Sequence, residues 1–120
     1  TRYIEGLNLR SQVLADFCAS VFDKVDMLHA PVIPIEIPRI DETDVGAQPG
    51  YMKSIASITH NTRAINFLGL PTVSVPCGFT VNGLPTGFQL IGRPFDEKTL
   101  LRAGHAYERE MLWCNRAPEL

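Results

Sequence analysis

The chain has 120 residues, 45% of them hydrophobic and 20% charged, with a formal net charge of -2. That length and balance suit a single globular unit with a modest core, and the near-neutral charge gives no electrostatic basis for binding nucleic acid. No apolar run approaches a membrane span and no signal-like segment opens the chain, so we expect no membrane partner and a cytoplasmic location.

Three widely spaced cysteines, Cys18, Cys77 and Cys114, form no Cys-x-x-Cys pair. Their odd number fits a reduced compartment better than a disulfide framework. His29, His60 and His105 show no metal-ligand spacing with each other or with the cysteines. Neither a metal nor a cofactor is expected. The first residue is Thr1, which fits a chain cut from something longer.

From about Leu9 to Val25 the spacing predicts an amphipathic helix. Val13, Leu14, Phe17, Cys18, Val21, Phe22 and Val25 recur at three- and four-residue steps. Val25 to Ala30 reads as a short strand stopped by Pro31. Pro31 to Pro38 holds three prolines among Val, Ile and Glu, which excludes a central strand and predicts an extended surface crossing. Residues 39–50 read as a flexible acidic loop built around Asp41, Glu42 and Asp44.

Tyr51 to Leu68 reads as a helix with Met52, Ile55, Ile58, Ile65 and Leu68 facing a core, its Thr59–Arg63 section polar and set apart. Gly69 and Pro71 stop it. Thr72–Val75 and Phe88–Ile91 read as two strands joined through Asn82-Gly83, a strong hairpin signal whose loop is long enough to imply a bulge. A last helix starts at Asp96 as N-cap, with Phe95 and Leu100 forming a hydrophobic staple. Leu100, Gly104, Tyr107 and Met111 lie along one of its faces. The whole reads as one unit over residues 1–120, its core at about 9–112.

Motifs then accumulate in a fixed order. Thr62-Arg63-Ala64-Ile65-Asn66 is followed by Gly69-Leu-Pro71-Thr-Val-Ser74-Val-Pro76-Cys77-Gly78. Next come Gly83-Leu-Pro85-Thr-Gly87-Phe-Gln89-Leu-Ile-Gly92 and Asp96-Glu97 with Leu100-Leu101. This series resembles the C-terminal hallmark of the amidase signature family, enzymes that hydrolyse carboxamides. Asp26-Met-Leu-His29-Ala30-Pro31 resembles a further strand of that family, with His29-Ala30 where small or hydroxyl residues are more usual. The resemblance covers about Leu9 to Tyr107.

The resemblance implies an α/β fold: the C-terminal part of an α/β/α sandwich around a mixed sheet, here about three strands, including one hairpin, with about three helices. It also implies a serine nucleophile, activated by a serine in a cis peptide and by a lysine, that forms an acyl-enzyme. The family carries nucleophile and oxyanion donors on a Gly/Ser-rich run, and no such run occurs here, for no two glycines or serines are adjacent. No catalytic residue can therefore be carried over, and the chain alone is expected to be inert. A small-molecule amide and the missing N-terminal portion of the same enzyme are the expected partners.

Thr62, Arg63, Asn66, Cys77 and Gln89 remain as candidates for a pocket wall or for bracing the catalytic loop. Gln89 stands out as a lone polar residue in an apolar strand, and each such group needs hydrogen-bond partners if buried. Plain structural tying of backbone segments is the competing role for Asn66 and Gln89. Members of the family that release ammonia from glutamine bind its charged groups near this region; the segment Thr59–Asn66 has no acidic residue, which leans against that substrate. Two other readings stand beside the enzyme: a non-catalytic binding or assembly module that retains the hairpin, and a thiol hydrolase using Cys77 with a histidine. A local Ser57/Lys53 pair, four residues apart on a helix, is a weaker candidate nucleophile. A partial sheet leaves open edges and apolar faces, so a homo-oligomer is expected.

Overall fold

The computed structural model describes residues 2–44 and 49–117, the side chain of Cys114 apart. Its elements in chain order are α1 (Arg2–Phe17), continued by a π-helical turn (Cys18–Phe22), and β1 (Met27–Pro31). Then come α2 (Ile40–Thr43), α3 (Tyr51–Ile58), α4 (His60–Leu68), β2 (Thr72–Phe79) and β3 (Pro85–Gly92). The chain closes with α5 (Glu97–Met111) and a 3-10 turn (Trp113–Asn115).

The three strands form one antiparallel sheet in the order β1-β3-β2. β3 is thus central, and alternation along it sends side chains to two different layers. Ile91 packs with Phe22, Leu68 and Leu70 beneath α1 and α4, joined by Leu14, Phe17, Val21 and Ile65. Phe88 and Leu90 pack with Val75 and Leu100 beneath α5, where Val73 and Tyr107 close in. Helices therefore lie on both faces, giving the α/β/α layering expected. Each outer strand carries a proline, Pro31 at the end of β1 and Pro76 within β2.

Several boundaries differ from expectation for identifiable reasons. The first helix begins at Arg2 and ends at Phe22, so Val25 lies beyond it and, like Val13, stays exposed. The expected single helix over Tyr51–Leu68 is broken at Thr59, whose hydroxyl and N–H both donate to the Ile55 carbonyl. That break, with the one-turn α2 held by a bond from the Arg39 N–H to the Glu42 carboxylate, raises the described helices from three to five. Residues 40–43 of the expected acidic loop are that turn; residues 45–48 lie outside the described part. Met52 and Met111 are exposed rather than core-facing.

The hairpin strands extend beyond the four residues expected of each. The hairpin turns over Thr80–Gly83: the Gly83 N–H donates to the Thr80 carbonyl at 3.0 Å, which makes Val81 and Asn82 the central residues and leaves Gly83 to follow them at a φ of 78°. The register shifts in β2 between Pro76 and Gly78, inside the strand rather than at the loop whose length implied a bulge. The expected staple before α5 does not form. Leu100 is buried, but Phe95 is 95% exposed with a φ of 65°, so it points away from the helix it precedes. Asp96 occupies the N-cap position, yet its carboxylate accepts the Thr99 hydroxyl at 2.7 Å and no backbone N–H.

Arg93, just past β3, joins the layers on the α1 side. Its guanidinium donates to the Phe22 carbonyl and, at 3.2 Å, to that of Val25, and it pairs with Asp26 at 3.4 Å. It also stands over the Phe22 ring at 5.8 Å. The Phe22 carbonyl is one that a helix end leaves without a partner, so a residue after the last strand caps the first helix, and the Val25 carbonyl ties it to the loop that follows. Arg93→Met keeps the alkyl stem but removes every donor. It should lower stability by about 1.5–3 kcal/mol, read from the urea midpoint at unchanged m-value.

Candidate functional site

The α1/α4 face of the sheet carries the polar constellation. Gln89, 3% exposed, stands at the centre of β3, between Ala30 of β1 and Ser74 of β2. Its Nε2 donates to the Pro31 carbonyl at 3.4 Å and to the Asn61 carbonyl at 3.3 Å. Asn61, near the start of α4, returns the contact through Nδ2 to the same Pro31 carbonyl at 2.9 Å. Two amides thus converge on one carbonyl and fix three segments: the end of β1, the middle of β3 and the first turn of α4. The Val32 N–H, donating to the Gly87 carbonyl at 3.2 Å, leads the chain from this junction into the proline-rich crossing.

The other candidates do not gather around Gln89. Thr62 donates to the Thr59 carbonyl at 3.3 Å, and Arg63 reaches back to the Ala56 carbonyl at 2.9 Å, so both secure the joint between α3 and α4. Asn66 lies exposed on α4, where its carbonyl accepts the Gly69 N–H. Cys77 lies on the opposite face, its Sγ 3.6 Å from the Thr86 hydroxyl. The five candidates therefore divide into a junction (Gln89), a helix joint (Thr62 and Arg63), an exposed position near the end of α4 (Asn66) and a groove wall (Cys77). Asn61 is the partner that sequence reading passed over. It stands inside the polar Thr59–Arg63 run, and only the position of Pro31 distinguishes it from its neighbours.

The α5 face holds the larger opening, a groove of about 630 Å³ whose lining includes His29, Pro31, Ile33, Cys77, Phe88 and Tyr107. The lining is apolar except at His29, Thr86 and Tyr107. His29 and Cys77 both reach it, but the register keeps them apart. His29 and Val73 flank Leu90 from either side, and Cys77 lies four residues further along β2. That is about 13 Å along the strand and about 10 Å across two strand spacings. A thiol–imidazole pair is thereby ruled out for these two. His29 instead stacks on Phe88 with ring centroids 4.5 Å apart.

Nor does a serine stand ready. The Ser57 hydroxyl donates to the Lys53 main-chain carbonyl at 3.0 Å, the ordinary back-bond of a helical serine. Among the described residues no hydrogen bond joins a serine hydroxyl to a lysine or histidine side chain, and no cluster of His, Cys, Asp and Glu could hold a metal. No described helix is long and apolar enough to cross a membrane.

A sandwich segment with a braced junction and, among the described residues, no serine hydroxyl hydrogen-bonded to a lysine or histidine can be set beside what the chain is similar to. The family model described as Amidase matches residues 1–101, and the chain belongs to that family. It is 37% identical to one subunit of the glutamyl-tRNA(Gln) amidotransferase of Brevibacillus brevis, covering 98% of this chain and 23% of that one. The like-named subunit from Methanosarcina mazei is 40% identical, over 97% and 23%. An amidase of Pseudomonas putida is 38% identical, over 100% and 26%. The solved structure of 6-aminohexanoate cyclic dimer hydrolase superposes with a TM-score of 0.76 at 22% identity, covering 88% of this chain and 24% of that one, which shows the shared fold. The chain spans about a quarter of the length of these relatives.

Because Gln89 and Asn61 share one acceptor, their contributions are coupled. Gln89→Leu leaves the Asn61 carbonyl without its donor and should cost about 1–3 kcal/mol. Asn61→Ala should cost less, and the double variant should depart from additivity by at least about 0.5 kcal/mol in a double-mutant cycle on urea unfolding.

Proposed function

We propose that this chain is the C-terminal part of an amidase that hydrolyses a carboxamide C–N bond to a carboxylate and ammonia or an amine. The observation that carries the reading is the family match over 101 residues that contain the family's scaffold motifs but no Gly/Ser-rich run. In the parent enzyme a serine hydroxyl, relieved of its proton by a neighbouring base, attacks the amide carbon. The nitrogen leaves with that proton, and water then attacks the acyl-serine to release the carboxylate and regenerate the hydroxyl. Backbone N–H donors hold the developing oxyanion. All of these groups come from outside the 120 residues.

The part assigned to this chain is support. The Gln89–Pro31–Asn61 junction holds the proline-rich crossing and α4 in fixed relation to the central strand, and a substrate wall built on either segment inherits that rigidity. Two of the relatives carry the name of a glutamyl-tRNA(Gln) amidotransferase component. The lack of an acidic residue in Thr59–Asn66 supports a simple carboxamide over the zwitterionic head of glutamine. The module alternative keeps the same fold and differs only in whether the parent gene encodes the Gly/Ser-rich run and a lysine.

The purified chain should show no turnover of acetamide, benzamide or glutamine above the buffer rate, measured by ammonia release, and Ser57→Ala should change nothing. Hydrolysis by the purified chain that disappears in Ser57→Ala would overturn the assignment.

A further inference from the structure

We propose that Asn82 is a site of spontaneous deamidation, and that the carboxylate it becomes repels Glu36 and loosens the proline-rich crossing from the hairpin. Both reacting groups belong to adjacent residues of this chain. The proposal therefore stands apart from the catalytic reading above and from whatever else packs on the molecule.

The chain has five asparagines, at positions 8, 61, 66, 82 and 115, and they precede Leu, Thr, Phe, Gly and Arg in that order. The following residue matters because its main-chain nitrogen is the nucleophile. That nitrogen loses its proton to a solvent base and attacks the asparagine Cγ. An N–C bond forms, the bond from Cγ to Nδ2 breaks, and the amide nitrogen leaves as ammonia with a proton from water. Water then opens the cyclic imide at one of its two carbonyls, giving aspartate or isoaspartate. No electrons change hands, and one water is exchanged for one ammonia. A side chain on the following residue crowds the attack. Gly83 has none, and a Cβ built there would meet nothing within 4 Å. Glycine also turns more freely than any other residue toward the conformation the attack needs.

The fold restrains this reaction without preventing it. The Thr80 carbonyl holds the Gly83 N–H at 3.0 Å, and that bond has to open before the nitrogen can reach Cγ. Thr80 is itself pinned: its N–H donates to the Leu84 carbonyl at 2.8 Å, and its hydroxyl accepts the Leu84 N–H at 3.1 Å. Asn82 and Gly83 are exposed, so water reaches the imide.

The consequence falls on the crossing. Asn82 Nδ2 donates to the Glu36 carboxylate at 3.3 Å. Past the Val32 N–H, this is the next hydrogen bond that joins the crossing to the hairpin. Beside it Ile35 and Ile37 share a small cleft with Thr80 and Pro85. Deamidation replaces the donor with a second carboxylate. A charge-assisted bond becomes a like-charge contact, which salt screens.

The test is peptide mass spectrometry on the 120-residue chain during incubation at mildly alkaline pH, beside a free peptide of residues 80–85. Asn82 should gain the mass of an amide turned to an acid ahead of the other four asparagines, and faster as pH rises. Its rate should be about tenfold below the peptide's, the worth of the one hydrogen bond that must open. An isoaspartate-specific methyltransferase should label the product, and Asn82→Gln should abolish the label. Asn82→Asp, a fixed form of the product, should lower the amide order parameters of Ile35 and Ile37 from near 0.85 to below about 0.6 at low salt. High salt should lessen that drop, and Glu36→Gln in the same chain, which restores a donor, should reverse it. An unchanged Asn82 while the peptide converts fully overturns the proposal, as does faster conversion at another asparagine. Equal order parameters in Asn82→Asp and the unmodified chain also overturn it.

Discussion

The central position of β3 is the constraint on which everything else in this molecule depends. A strand flanked on both edges by other strands has both faces to cover as well. β3 meets this by alternating: Phe88 and Leu90 go to one layer, Gln89 and Ile91 to the other. A one-residue slip of register would exchange the two sets, placing the Gln89 amide under α5 and Phe88 against the Asn61 and Pro31 carbonyls. The amide has acceptors on one face only. Gln89 thus sets the register as firmly as the apolar residues do, and it stabilises one arrangement by making the other costly.

From that strand the order spreads outward in both directions of the sequence. Arg93, one residue past the end of β3, holds carbonyls 68 and 71 positions earlier; Gln89 holds one 58 positions earlier. The first helix, the first strand and the hairpin are therefore tied to one another by hydrogen bonds between distant parts of the sequence. Contacts of such separation carry a loop-closure cost that slows folding.

Local chemistry explains what could be read beforehand. Gly69 with Pro71, the Asn82-Gly83 pair and the β-branched run at Thr72–Val75 act on their immediate neighbours, so the helix stop and the hairpin were legible, whereas the irregularity inside β2 was not. The three-layer arrangement followed from the motif series. Distant partners were not legible. Nothing beside Arg93 in sequence announces the carbonyls it caps, and Asn61 looks like any member of a polar run. The Phe95 staple failed for a related reason: Leu100 finds a better surface on the sheet, against Val75 and Leu90, than a single ring before the helix could offer. Of the candidate site, Gln89 was recognisable because an amide in an apolar strand must have a reason to be there. Thr62, Arg63 and Asn66 drew attention through motif alone, and they serve the α3–α4 joint and the surface.

The prolines at the rims of the sheet carry a consequence for assembly. An incoming strand would need a ladder of donors, and Pro31 and Pro76 each leave a rung missing from the outer strands. Growth by edge addition, the route to fibrils, is discouraged on both sides.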